Sequence, residues 1–293
     1  LRAAFGNALK PDDSLKCSLY AVAFHLSLRK ALYMMVILIF GLAGLVTGSF
    51  LCLAADRYRP ELTERQWLQR LFFPSSRCAV CRQRLQPGDL IPLYSWMRWH
   101  RRCRYCRHKL PWRLPAVEVL ASLLFCLSAW RVPSPAALMF TLLLSAALLL
   151  LSLIDEQYLI LPDILTLPLL WLGLLYHLLL NEEKLPTAVC GALLGWLSLW
   201  LLYWLFWLFR QREGLGYGDM KLFAALGAWC GWQALPAIAT FAALGGVLLF
   251  WHGGIKKGGA GADRQLPFGP CLSLAGWAVF VWHSQEANIS FLL

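Results

Sequence analysis

Long uncharged apolar runs constrain this chain more than any other feature. Residues 34–55 form a run of 22 without a charge, about 33 Å of α-helix, where roughly 20 apolar residues suffice to cross a bilayer. Further apolar blocks, some shorter, occupy 114–130, 136–154, 164–180, 185–209, 220–232, 234–251 and 271–283. Of the 293 residues, 59% are apolar and 15% charged, whereas a soluble domain carries about a quarter charged residues. Those proportions exclude a disordered chain, a secreted disulfide scaffold and an ordinary cytosolic enzyme. The expected fold class is an all-α polytopic membrane protein with about eight transmembrane helices, the sixth and eighth short.

The net charge of +11 is unevenly spread, for residues 56–113 carry 14 of the 27 Lys and Arg against four acids, Asp56, Glu61, Glu64 and Asp89. A basic segment between two spans reads as a cytoplasmic insertion, kept inside by the positive-inside bias. It has no RNA- or DNA-binding signature, so no nucleic-acid partner is expected. Later connections then alternate sides, with Arg210, Arg212, Lys256, Lys257 and Arg264 inside, Arg131 and Lys184 outside, and both termini outside. Residues 1–33 fit this scheme poorly, because Arg2, Lys10, Lys16, Arg29 and Lys30 favour the inner side. Two readings follow: the natural start is Met34 or Met35, the upstream residues being a tag or a misassigned start, or residues 21–33 form an amphipathic interfacial segment. The expected organisation is an N-terminal extension (1–33), a first transmembrane helix (34–55), the basic domain (56–113), a transmembrane domain (114–283) and a C-terminal tail (284–293).

Ten cysteines divide into two populations. Cys52, Cys126, Cys190, Cys230 and Cys271 lie in or beside spans and read as small apolar packing residues; Cys17 lies in the extension. Cys78 and Cys81, and Cys103 and Cys106, form two C-x-x-C pairs separated by 21 residues, the spacing at which two knuckles build a tetrahedral thiolate site. Zn²⁺ is the expected metal. Four thiolates close its coordination shell, which makes the role structural, and the neighbouring arginines favour the thiolate form. A dithiol redox pair or free thiols are the alternatives.

Charge is scarce in the second half of the chain. Asp155 closes the third span and Asp219 opens the sixth, so the alternation of sides delivers both carboxylates to the cytoplasmic surface. An ionised group near the apolar slab is costly and usually has a use. Two carboxylates sharing a proton supply both halves of peptide hydrolysis, one activating water and the other protonating the departing amine. Gly216 and Gly218 leave room for an extended substrate backbone. Lys221 either holds a carboxylate ionised or reaches for headgroups. The plainer alternatives are an N-cap at Asp219 and a solvated helix end at Asp155, with Glu156 and Asp163 competing for the first position.

The ordered set of motifs resembles a known family, the type IV prepilin peptidases, bifunctional membrane enzymes of the G-x-G-D aspartyl protease group. It comprises Gly48-Ser49-Phe50-Leu51, the two cysteine pairs with Leu90-Ile91-Pro92 and Ser95-Trp96 between them, Asp155 through Leu161-Pro162-Asp163, Gly216-Tyr217-Gly218-Asp219-Met220-Lys221, and Pro267-Phe268-Gly269-Pro270. Cys52 stands where the family usually has Asn. The resemblance implies a catalytic pair at Asp155 and Asp219 and a prepilin or pseudopilin substrate whose basic leader is cut at the cytoplasmic face, before a hydrophobic helix. It also implies methylation of the new amine from S-adenosylmethionine, and residence in the bacterial inner membrane. Charge complementarity assigns Glu156 and Asp163 to the leader; Glu118, within the second span, is a possible participant in methyl transfer. On the residues alone, a transporter relaying protons through intramembrane acids and a non-catalytic scaffold displaying a zinc ribbon remain open.

Overall fold

The computed structural model describes residues 11–73, 76–78, 80–132, 134–210, 216–257 and 267–292; residues 1–10, Arg212 and Arg264 of the orientation scheme lie outside them. Among the described residues the backbone is helical, with only isolated bridges between extended segments. Helix α1 (Pro11–Arg57) leads into the insertion, which holds α2 (Glu64–Phe72) and α3 (Tyr94–Arg98). The bundle continues with α4 (Arg113–Arg131), α5 (Pro135–Tyr158), α6 (Asp163–Leu180), α7 (Leu185–Arg210), α8 (Tyr217–Cys230), α9 (Leu235–Lys257) and α10 (Gly269–Leu292).

Every expected apolar block is therefore centred on one helix, with boundaries moved by a few residues except at α1, where the helix runs back unbroken through 21–33 to Pro11, and at α10, which runs on through the expected tail to Leu292. Helices α1, α4, α5, α6, α7 and α9 are long and apolar enough to cross a membrane. Helix α8 is the exception in kind: its 14 residues reach only about 21 Å. Met220, Leu222, Phe223, Ala224, Ala225, Leu226, Ala228 and Trp229 are all buried, the mark of a helix enclosed by protein on every side. Helices α6, α7 and α10 form most of that enclosure, and Trp229 fixes the α6 side by donating to the Leu169 carbonyl at 2.8 Å.

Small residues bring the helices together. With no water to exclude inside a bilayer, close backbone approach supplies the attraction. A Cβ on Gly48 would lie 2.8 Å from the Glu118 Cα, so α1 and α4 meet backbone to backbone there. A second core joins α1, α4, α5 and α2 through Ala54, Ala55, Trp67, Val117, Ala121, Leu153 and Ile154. Its outer element, α2, begins at a capping box in which Gln66 N–H donates to Thr63 Oγ1 and Thr63 N–H to Gln66 Oε1. Trp67 pins that helix to α1 by donating to the Ala54 carbonyl at 3.2 Å.

Candidate active site and metal centre

Asp155 occupies the last turn of α5, whose final backbone bond runs from Leu159 N–H to the Asp155 carbonyl. The residue is 5% exposed, and its Oδ2 accepts the Gly269 N–H at 2.9 Å. A Cβ at Gly269 would stand 2.7 Å from that oxygen, so the start of α10 presses its backbone against the carboxylate. Asp219 lies in the first turn of α8, where its carboxylate accepts a hydrogen bond from the Gly216 backbone. The Asp155 and Asp219 carboxylates lie near enough to repel one another. Chain reversals thus bring together one carboxylate from a helix C-terminus and another from a helix N-terminus, where the two helix dipoles act on them with opposite sign.

The neighbouring residues take distinct places. Lys221 Nζ grips both oxygens of Asp163, at 2.6 and 2.8 Å, and so ties α8 to the start of α6; of the two roles open to Lys221, it is Asp163 that it holds. Glu156 is largely exposed and lies 3.7 Å from Arg113 Nε. Gly216 is exposed, whereas a Cβ on Gly218 would meet the Leu161 Cβ at 2.8 Å, so helix packing alone calls for glycine at 218. Glu118 is 2% exposed and accepts from the Leu93 N–H at 2.8 Å and from the Ser49 side chain.

Two residues that sequence reasoning passed over belong to this surface. Gly269 enters the sequence reading only as part of the Pro267-Phe268-Gly269-Pro270 motif; its closeness to Asp155, 114 residues away, is a tertiary contact that the local sequence does not announce. Arg113 was counted merely as insertion charge. It donates to Asp56 at 3.1 Å and to the Leu153 carbonyl at 3.0 Å, joining the end of α1 to the last turns of α5.

In the insertion, the Sγ atoms of Cys78, Cys81, Cys103 and Cys106 all lie within 4.8 Å of one another. Each pair sits in the same kind of turn. Cys78 N–H donates to Gln83 and Arg82 N–H to Cys78; Cys103 N–H donates to His108 and Arg107 N–H to Cys103. The left-handed φ of 55° at Arg82 and 56° at Arg107 closes the two turns. The Cys81 backbone N–H, followed by that of Val80, holds the Cys78 thiol down at about 7. Tetrahedral bonds of about 2.3 Å to one ion place sulfurs about 3.8 Å apart, and Cys78 and Cys106 stand at 3.8 Å. The donor set and its spacing suit a single four-coordinate metal ion.

The fold and these sites define a multi-pass helical membrane protein that carries a pair of carboxylates at helix ends and a four-cysteine insertion between its first two spans. Residues 142–251 match the Type IV leader peptidase family and residues 42–132 the Bacterial Peptidase A24 N-terminal domain, and the chain belongs to the Type IV leader peptidase family. It is similar to a Prepilin leader peptidase/N-methyltransferase of Pectobacterium carotovorum subsp. carotovorum, 43% identical over 80% of this chain and 89% of the relative. Proteins of the same name from Pseudomonas putida (39% identical, 83% of this chain, 89% of the relative) and Aeromonas salmonicida (40%, 82% and 89%) are comparably similar. No solved structure matches the chain.

Proposed function

We propose that this protein cleaves the basic leader from type IV prepilins or pseudopilins at the cytoplasmic membrane face, with Asp155 and Asp219 as its catalytic pair. The observation that carries this reading is that these two carboxylates, at the ends of α5 and α8, lie within electrostatic reach of one another in a chain of the leader peptidase family. One carboxylate takes a proton from water as the water attacks the scissile carbonyl, and the other gives a proton to the departing amine. The Gly269 N–H orients Asp155 for that exchange. Gly216 leaves backbone space beside Asp219, and the exposed Glu156 and Asp163 carboxylates attract the basic leader; Gly218 serves this arrangement by seating α8 on Leu161.

The relatives' name pairs the peptidase with an N-methyltransferase. By the same reading this chain methylates the amine that cleavage exposes, S-adenosylmethionine supplying the methyl group. Cys78, Cys81, Cys103 and Cys106 hold a structural Zn²⁺, and the basic insertion that it organises faces the cytoplasm of a bacterial inner membrane. Carboxylates at helix ends, rather than at mid-span, speak against proton relay across the bilayer. The test is purified protein in detergent mixed with a prepilin bearing its leader. A mobility shift that disappears in both aspartate-to-asparagine variants is expected, and an unshifted substrate with the parent protein would overturn the reading.

A further inference from the structure

Helices α9 and α10 leave an apolar groove of about 970 Å³ between them. Its α10 wall begins at Pro270 and Cys271 and runs to His283, while its α9 wall runs from Leu249 back to Ala237. Cys271 and His283 are 12 positions apart, about 18 Å or three helical turns. Leu248, Leu274 and Trp282 stand exposed along it, so it opens sideways out of the bundle. Gly245, Ala275 and Ala278 leave its bed shallow, which lets another helix approach closely.

One end of the groove adjoins the candidate active site. Pro270 and Cys271 directly follow Gly269, whose N–H bonds the Asp155 carboxylate. Helix α9 closes on α10 at this same end, where a Cβ on Gly245 would rest 3.4 Å from Cys271 Sγ.

We propose that the groove seats the apolar helix that follows the cleaved bond of the substrate, admitted sideways from the bilayer, with the first residues of that helix delivered at Gly269 to the aspartates. This rests on the reading of the chain as a leader peptidase. A substrate whose product stays in the membrane must bring the top of an apolar helix to the carboxylates without leaving lipid. Leaving lipid for protein gains such a helix little from water exclusion, so its binding depends on close packing. Among the described cavities, this one couples an apolar wall of several turns with an end at Pro270, the residue after the Gly269 that bonds Asp155. A lipid acyl chain is the competing occupant.

A photo-reactive phenylalanine analogue placed singly at Leu248 and Leu274 tests the assignment, with Trp171 and Leu201 on the exposed faces of α6 and α7 as controls. Each protein carries Asp155→Asn and Asp219→Asn to hold the substrate uncut, and sits in phosphatidylethanolamine and phosphatidylglycerol vesicles with a tagged prepilin. Cross-links from 248 and 274 to the apolar helix of the prepilin, about tenfold above the controls, are expected. Equal yields at all four positions, or adducts with lipid alone, would overturn the proposal.

A second measurement fills the groove in the otherwise unchanged enzyme. Ala278→Leu and Leu274→Trp should raise KM for full-length prepilin about tenfold and leave cleavage of a leader peptide lacking the apolar helix unchanged. A parent enzyme that cuts neither substrate overturns the peptidase reading and this proposal with it. A parent that cuts both, with the filled variants matching it on both, overturns the groove alone.

Discussion

Gly269 and Asp155 touch so closely that no side chain fits between them. The Gly269 N–H lies 2.9 Å from Oδ2, and the first carbon of any side chain at 269 would come within 2.7 Å of the same oxygen. Gly269→Ala must therefore displace either the carboxylate or the start of α10. A shift of about 1 Å in a catalytic group costs on the order of 10²-fold in rate. We expect kcat for prepilin cleavage to fall by about that factor, with thermal stability in detergent little changed. Wild-type kcat in the alanine variant would show that this contact does not position Asp155.

Replacing either aspartate tests the acid and base themselves. Asp155→Asn and Asp219→Asn keep the shape of the side chain but remove its capacity to exchange a proton. Each should lower cleavage at least about 10³-fold while the protein inserts normally. Glu156→Gln and Asp163→Asn should be milder, since both carboxylates are substantially exposed. Near-normal cleavage by either asparagine variant would remove that residue from the pair.

Among the described residues of the insertion only Trp67 and Cys103 are buried, so metal binding should supply much of its folding free energy. Changing any one of Cys78, Cys81, Cys103 or Cys106 to Ser should reduce bound zinc from stoichiometric to trace by elemental analysis and expose residues 56–113 to limited proteolysis. Cleavage should fall only in part, because the carboxylates belong to α5 and α8. Freshly purified, unchelated parent protein without zinc would defeat this expectation.

Much of this architecture was legible in the sequence because bilayer physics writes it in long blocks. Charges end most of those blocks, and each became a helix, although none separates 220–232 from 234–251, where the chain turns at Gly231 instead. The cysteine pairs were equally plain, since two ligands per turn impose a fixed spacing. Other features depend on contacts distant in sequence. The burial of α8 depends on α6, α7 and α10 closing around it, and nothing in its 14 residues distinguishes it from a short span. Nor do the motifs around Lys221 reveal that its partner is Asp163, which lies across the α6–α8 contact.

Helix α8 is held by contact between glycines. A Cβ on Gly191 would come within 2.9 Å of the Gly227 and Gly231 carbonyl carbons, so α7 and α8 cannot separate to admit one without moving the helix that carries Asp219. Overpacking of this kind costs about 1–3 kcal/mol. Gly191→Leu should lower the melting temperature in detergent and reduce cleavage together, whereas Ala192→Leu, at the adjacent position, should do so less. Equal melting temperatures for parent and Gly191→Leu would show that the contact yields easily.

Cleavage and methyl transfer should be separable. Hydrolysis needs two acids and water; methyl transfer needs a neutral amine in line with a sulfonium, which is a different arrangement of groups. The Asp155→Asn, Asp219→Asn double variant, given already cleaved pilin and labelled S-adenosylmethionine, should still transfer the methyl group. A folded, pilin-binding double variant that transfers none, beside a parent that does, would unite the two activities at one centre.

The paired cysteine turns have a topological consequence. Each contributes two sulfurs, so neither alone can satisfy a four-coordinate ion, and occupancy becomes an all-or-none property of the pair. A metal ion bound by all four sulfurs would turn residues 81–103 into a ring whose ends can no longer diffuse apart. Leu93 lies on that ring, and its N–H is held by Glu118 at 2.8 Å, inside the second span. A clasp in the aqueous domain is thereby hooked to a membrane helix, so the tether and the clasp should loosen cooperatively when the metal is withdrawn.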